Sequence, residues 1–144
     1  MSLETGIYLI TSNYSNAAVG RNTAGDGEQV FSLPPFSDPQ KWEIIKLRDG
    51  YNLRLEGAET AELNGMVHAL THNQPMAETW DIKAHEQHGP DVYTIEKLDS
   101  PLGWVMAADE AFAPISVQPI IATKSLPPHY LPPCLFQITK IDRD

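Results

Sequence analysis

The chain has 144 residues, 42% of them hydrophobic, and a formal charge of −9, enough length for one domain with a sizeable core. That acidity argues against nucleic acid and anionic membrane surfaces as partners, because phosphate recognition needs a basic face, and no apolar run approaches the length of a membrane span. A single cysteine, Cys134, rules out an intramolecular disulfide. A reducing, cytoplasmic setting is expected, since MSLETGIYLITSN lacks the basic-then-apolar order of a secretory signal.

Twelve prolines and nine glycines interrupt the chain so often that no apolar pattern persists at helical spacing. Short alternating stretches appear instead. In order they are GIYLIT (6–11), QVFSL (29–33), KWEIIKL (41–47), YNLRLEG (51–57), DVYTIEKL (91–98), GWVMA (103–107), ISVQPII (115–121) and LFQITKI (135–141). Strands of this length separated by turn residues predict an all-β barrel or sandwich.

Two markers recur in the same order three times. Tyr8–Ile10, Tyr51–Leu53 and Tyr93–Ile95 read aromatic-x-aliphatic and lie 43 and 42 residues apart. Each is followed by a second aromatic-x-Ile element, at Trp42, Trp80 and Phe136. The pattern resembles a β-trefoil: twelve strands in a single domain, 1–144, with pseudo-repeats at about 5–48, 49–89 and 90–142. From first marker to second takes 34, 29 and 43 residues in the three units. The excess in the third falls on TKSLPPHYLPP, residues 123–133, which predicts a long loop before the last strand. Loops longer than a fold requires are often functional.

Pro127, Pro128, Pro132 and Pro133 fix φ and bias Leu126 and Leu131 toward extended geometry. A stiff, extended, exposed loop loses little entropy on docking. Proteases bind extended strands, so the loop presents Lys124 to an enzyme whose specificity pocket holds a carboxylate, as trypsin's does. Thr123-Lys124-Ser125-Leu126-Pro127-Pro128 resembles the trypsin-reactive loop of Bowman–Birk inhibitors, Thr-Lys-Ser-x-Pro-Pro. That resemblance implies Lys124 as specificity residue, Ser125 after the scissile bond and Pro127 in the cis form. A disulfide closes the Bowman–Birk loop. The matching positions here are Ala122 and Tyr130, so the brace must come from the flanking strands and the second Pro-Pro pair.

The chain also resembles the mushroom β-trefoil serine protease inhibitors of the cospin and cnispin group. The stretches that carry this are GIYLI, VGRN (19–22), QKWEI (40–44), TAELNGMVHAL (60–70), GWVMAADE (103–110) and PPHYLPPCLFQITKID (127–142). The resemblance implies an inhibitor of trypsin-like serine proteases serving fungal defence; with the reading of the residues, a reversible inhibitor rather than an enzyme is expected, monomeric and without cofactor. Some members of that group use the loop before the last strand, here holding Lys124. Others use the loop after the second strand, here RNTAGDGEQ, whose only cation is Arg21, followed by Asn22. Its glycines raise the entropy cost of docking, so Lys124 ranks first and Arg21 second.

Other signals are weaker. Gln40-Lys41-Trp42 is the Q-x-W triplet of ricin-type lectins, which makes a glycan-binding trefoil the alternative function. The equivalent positions in the other units, Glu78-Thr79-Trp80 and Cys134-Leu135-Phe136, lack it, and a core Trp is the simpler reading. His85-Glu86-Gln87-His88 lacks the H-E-x-x-H spacing, and His68 and His72 stand four apart where no helix is expected, so all read as solvated loop histidines rather than metal ligands. Cys134 reads as a small buried hydrophobe. Asn13-Tyr14-Ser15 is a glycosylation triplet, idle without secretion. Asn64-Gly65 suits a tight hairpin turn. In related mushroom cysteine protease inhibitors, asparagines in comparable loops engage asparagine-cleaving proteases, a lesser option here.

Overall fold

The computed structural model describes residues 3–21, 29–34, 37–70 and 78–141. Twelve strands occur among them: β1 Gly6–Ser12, β2 Val19–Arg21, β3 Val30–Ser32, β4 Trp42–Lys46, β5 Tyr51–Leu55, β6 Ala58–Leu63, β7 Met66–Ala69, β8 Trp80–Ala84, β9 Val92–Lys97, β10 Leu102–Met106, β11 Ile115–Pro119 and β12 Phe136–Lys140. Every pairing is antiparallel. β1 pairs with β4 and β12, β4 with β5, β5 with β8, β8 with β9, and β9 with β12. The ring β1-β4-β5-β8-β9-β12 therefore closes into a six-stranded barrel with no free edge.

The other six strands form the hairpins β2–β3, β6–β7 and β10–β11. The hairpins meet pairwise: Ser116 of β11 lies opposite Met66 of β7, Gln29 bridges to His68, and Phe31 bridges to Pro114. A six-stranded barrel joined to three mutually touching hairpins is the β-trefoil that the repeated markers predict.

The markers themselves are cross-strand partners. Tyr8 faces Trp42, Tyr51 faces Trp80, and Tyr93 faces Phe136. All six are buried. A fourth aromatic, Trp104, sits among the second set, with ring centroids 5.6 Å from Trp42, 5.6 Å from Trp80 and 5.8 Å from Phe136. Such tilted and edge-on pairs add about 0.5–1.5 kcal/mol each beyond their buried area. In the first two units the indole also ties barrel to hairpin. Trp42 Nε1–H donates to the Val19 carbonyl at 2.9 Å, and Trp80 Nε1–H donates to Thr60 Oγ1 at 3.1 Å. Phe136, the third equivalent, has no such donor.

The turns follow local chemistry. Asn64 (φ 55°) and Gly65 (φ 80°) are the two-residue loop between the paired Leu63 and Met66, as a primed turn requires. The connections from the third to the fourth strand of each unit differ: residues 33–41, 70–79 and 120–135. The last is the longest, and it contains the proline-rich run.

Candidate functional site

Residues 120–135 leave β11 and return to β12, so both ends are held by sheet. The stem is narrow. Ala122 and Tyr130 form an antiparallel bridge, the Thr123 N–H donates to the His129 carbonyl at 2.9 Å, and the His129 N–H donates to Thr123 Oγ1 at 3.0 Å. Ala122 and Tyr130 are the positions where the Bowman–Birk pattern carries its disulfide. Here a backbone pair occupies that place.

The tip beyond the stem is tied internally. Ser125 Oγ–H donates to the Pro127 carbonyl at 3.0 Å, so the hydroxyl accepts from Thr123 Oγ1–H at 2.7 Å. The result is a chain, His129 N–H to Thr123 hydroxyl to Ser125 hydroxyl to Pro127 carbonyl, in which each bond polarises the next. The Leu126–Pro127 peptide is cis, the form that the Bowman–Birk resemblance implies. Thr123, Lys124, Ser125, Leu126 and Pro127 are all exposed and Pro128 is half-buried. Leu126 is 96% exposed, so the tip packs on nothing. Among the described residues Lys124 joins no ion pair; the acids pair instead with Lys46, Arg54, Lys83 and Lys97.

The base of the loop rests on a 3-10 turn, Glu86–His88, that follows β8. Gln87 Nε2–H donates to the Pro128 carbonyl at 2.8 Å, and His88 Nε2 accepts from the Tyr130 N–H at 2.9 Å. The Tyr130 ring lies 4.2 Å, centroid to centroid, from that of His85. His85 is buried, and its Nε2 is 2.9 Å from Thr94 Oγ1. The Thr94 hydroxyl donates to Glu96 Oε2 at 2.7 Å, so it accepts from His85 Nε2–H. Burial holds the pKa of both His85 and His88 below the usual imidazole value.

The solvated-histidine expectation is therefore corrected at His85 and His88, which take specific partners. His68 is also engaged, half-buried on β7 with Nδ1 3.2 Å from the Met66 carbonyl. His72 lies outside the described residues. Among the described residues no group of three or more His, Cys, Asp or Glu side chains is placed to hold a metal ion.

The loop closes on Pro132–Cys134, a second 3-10 turn opened by the second Pro-Pro pair. Cys134 is buried, its thiol donates to the Leu131 carbonyl at 3.1 Å, and burial pushes its pKa up. An inert thiol results.

Arg21 stands apart from this loop, half-buried at the end of β2. Its backbone is gripped on both polar atoms by Gln40: the Arg21 N–H donates to Oε1 at 3.0 Å, and Nε2–H donates to the Arg21 carbonyl at 2.7 Å. It borders a shallow cavity of about 230 Å³ with Asp38, Gln40 and Phe112. Asn22 lies outside the described residues. The Q-x-W triplet is thus structural: Gln40 pins β2, and Trp42 is fully buried with its N–H on Val19.

Similarity to known proteins gives the family and agrees with the fold. The family described as peptidase inhibitor I66 matches residues 1–140. A serine protease inhibitor from Lentinula edodes is 38% identical over 146 residues, covering 98% of this chain and all of its own. A proteinase inhibitor from Coprinopsis cinerea superposes with a TM-score of 0.89 at 30% identity, over 97% of this chain and 100% of that one. A lactose-bound ricin B-like lectin from Macrolepiota procera reaches a TM-score of 0.73 at 14% identity, over 98% of this chain and 99% of that one, a likeness that shows the fold alone. Matched along nearly its whole length, the chain belongs to the peptidase inhibitor I66 family, whose members are protease inhibitors and not enzymes.

Proposed function

We propose that the protein inhibits trypsin-like serine proteases by offering the Lys124–Ser125 bond on the 120–135 loop as a substrate. The observation that carries this is the exposed Lys124, in no ion pair among the described residues, on a tip whose neighbours are already hydrogen-bonded to one another. The lysine stem fills the specificity pocket, its ammonium pairs with the pocket carboxylate, and the Lys124 carbonyl enters the oxyanion hole. Ordering costs are small because Thr123, Ser125, Pro127 and Pro128 are held before docking. The formal net charge of −9 adds long-range attraction for a cationic enzyme.

Slow turnover follows from where the bonds lie. Thr123–His129 and Ala122–Tyr130 both span the Lys124–Ser125 bond. Ser125 stays tied to Pro127 on its own side of the cut and to Thr123 across it. The new amine is therefore kept beside the acyl-enzyme at high effective concentration, and religation competes with hydrolysis. Interfaces of this kind bury about 1,600 Å², and nanomolar binding corresponds to about 12 kcal/mol.

The test is steady-state inhibition of bovine trypsin by wild type, Lys124→Ala and Arg21→Ala, each confirmed folded. Lys124→Ala strands the pocket carboxylate without a partner, a loss of about 3 kcal/mol or more, so it is expected to be at least about a hundredfold weaker. Arg21→Ala is expected to match wild type. Undiminished inhibition by Lys124→Ala overturns the proposal.

A further inference from the structure

We infer that Gln87 and His88 are positioning residues for the Lys124 loop, and that a proton on His88 releases its hold on Tyr130; this rests on the reading of that loop as the inhibitory one. The two side chains hold backbone atoms on either side of His129, through the Pro128 carbonyl and the Tyr130 N–H. His129 in turn holds Thr123, the residue before Lys124, by two hydrogen bonds. A continuous set of contacts thus runs from the 3-10 turn to the residue flanking the scissile bond. The turn itself is fixed. The His85 N–H donates to the Val92 carbonyl at 2.9 Å, the His88 N–H donates to the His85 carbonyl at 2.9 Å, and the His85 ring is anchored through Thr94 to Glu96.

The Tyr130 bond exists only while His88 Nε2 carries no proton, since an imidazolium has no acceptor. The charged and titratable groups around it are His129, whose ring centroid is 5.4 Å away, Tyr130 at 6.2 Å, and His85 and Glu86 beside it on the turn. Lys83 and Glu96 lie behind His85. Burial first, then His129, lowers the His88 pKa from its ordinary value of 6.5. The sign follows. Above 6.5 the ring is neutral and the bond is complete. As pH falls below that and through the depressed native value, His88 becomes a donor facing the Tyr130 N–H, and the contact is lost.

Inhibition constants against trypsin, measured from about pH 5 to about pH 8, test this with His88→Gln, His88→Ala, Gln87→Ala and Lys124→Ala. Dividing each variant by wild type at the same pH cancels the protease's own titration. A glutamine oxygen takes the place of Nε2 but does not titrate. His88→Gln is expected to equal wild type near pH 8 and to inhibit about tenfold better than wild type near pH 5. His88→Ala is expected to be about tenfold weaker than wild type near pH 8 and to converge with it near pH 5. Gln87→Ala should be about fivefold weaker throughout.

A flat ratio of His88→Gln to wild type overturns the inference. If Lys124→Ala remains a hundredfold or so weaker, the inhibitory loop stands and only the positioning role falls. If Lys124→Ala inhibits like wild type, the reading beneath has failed and the inference falls with it. An independent check needs no protease: in the free protein the Tyr130 amide proton resonance should shift with the His88 ring titration, and an amide that ignores that titration overturns the inference by itself.

Discussion

On the proposed function, Thr123→Val isolates the contribution of loop order to inhibition. The substitution keeps the shape and β-branching that suit extended backbone, so the surface offered to the enzyme is nearly unchanged. It removes the acceptor for the His129 N–H at 3.0 Å and the donor to Ser125 Oγ at 2.7 Å. The Thr123 N–H bond to the His129 carbonyl remains. Both lost bonds are exposed, so water replaces part of each, and the pair is worth about 1–2 kcal/mol. Inhibition of trypsin should weaken about five- to thirtyfold. Mass spectrometry should show faster cleavage at Lys124–Ser125, because the amine released at Ser125 is held less firmly. Thr123 lies outside the core, so the thermal midpoint should stay within about 2 °C of wild type. An unchanged inhibition constant would show that the hydroxyl chain does not order the tip. A parallel fall in thermal midpoint would show that the effect came from global stability.

The core offers a paired comparison. Trp42 donates its indole N–H to Val19, whereas the Trp104 N–H has no partner among the described residues. Urea unfolding should therefore find Trp42→Phe about 1 kcal/mol more costly than Trp104→Phe, and Trp104→Ala should cost about 3–5 kcal/mol; the reverse order for the two Phe variants would refute it. Glu62 accepts from the Gly65 N–H at 2.7 Å and from Lys97 at 3.2 Å, and these contacts, the Gly65 bond foremost, hold its carboxyl below the ordinary 4.5. Their stabilisation is present above 4.5 and lost as pH falls through the lower native value. Glu62→Gln should lower stability by about 1 kcal/mol at neutral pH, after allowance for partial exposure, and flatten the acid limb of a stability–pH profile. Cys134 should resist thiol reagents in the native protein and react only on unfolding, given its burial and raised pKa.

The fold was legible because its symmetry is written in the largest side chains. Tyr8, Tyr51 and Tyr93 are buried at equivalent places of a threefold arrangement, so their spacing reports the repeat directly. Alternation alone was less complete. β2 has three residues, too few for a pattern. β6 reads AETAEL and buries the adjacent Thr60 and Ala61 rather than every second residue, because Thr60 receives the Trp80 indole. The Asn64-Gly65 turn marked this hairpin where its strands did not. The role of Trp104 was not visible either: its place among Trp42, Trp80 and Phe136 comes from closure of the barrel, which joins residues far apart in the chain.

For the loop, the sequence named the tip but not what supports it. TKSLPP carries its own chemistry, since lysine, hydroxyls and prolines act within a few residues of one another. Gln87 and His88 reach it from 41 and 42 positions away, and residue type alone does not say which histidine will meet a backbone N–H. The Bowman–Birk comparison sharpens the physical question. A disulfide keeps cut ends together whatever the surrounding structure does. Here the stem is hydrogen-bonded, and retention depends on the strands it joins. β12 is hydrogen-bonded on both sides, to β1 over five residues from Tyr8–Lys140 to Ser12–Phe136 and to β9 at Phe136 and Gln137. A cut at Lys124–Ser125 therefore frees no strand, and separating the two pieces requires opening the barrel. On this reading the barrel replaces the missing disulfide, and core substitutions that loosen β12 should turn the inhibitor toward a substrate without touching the loop.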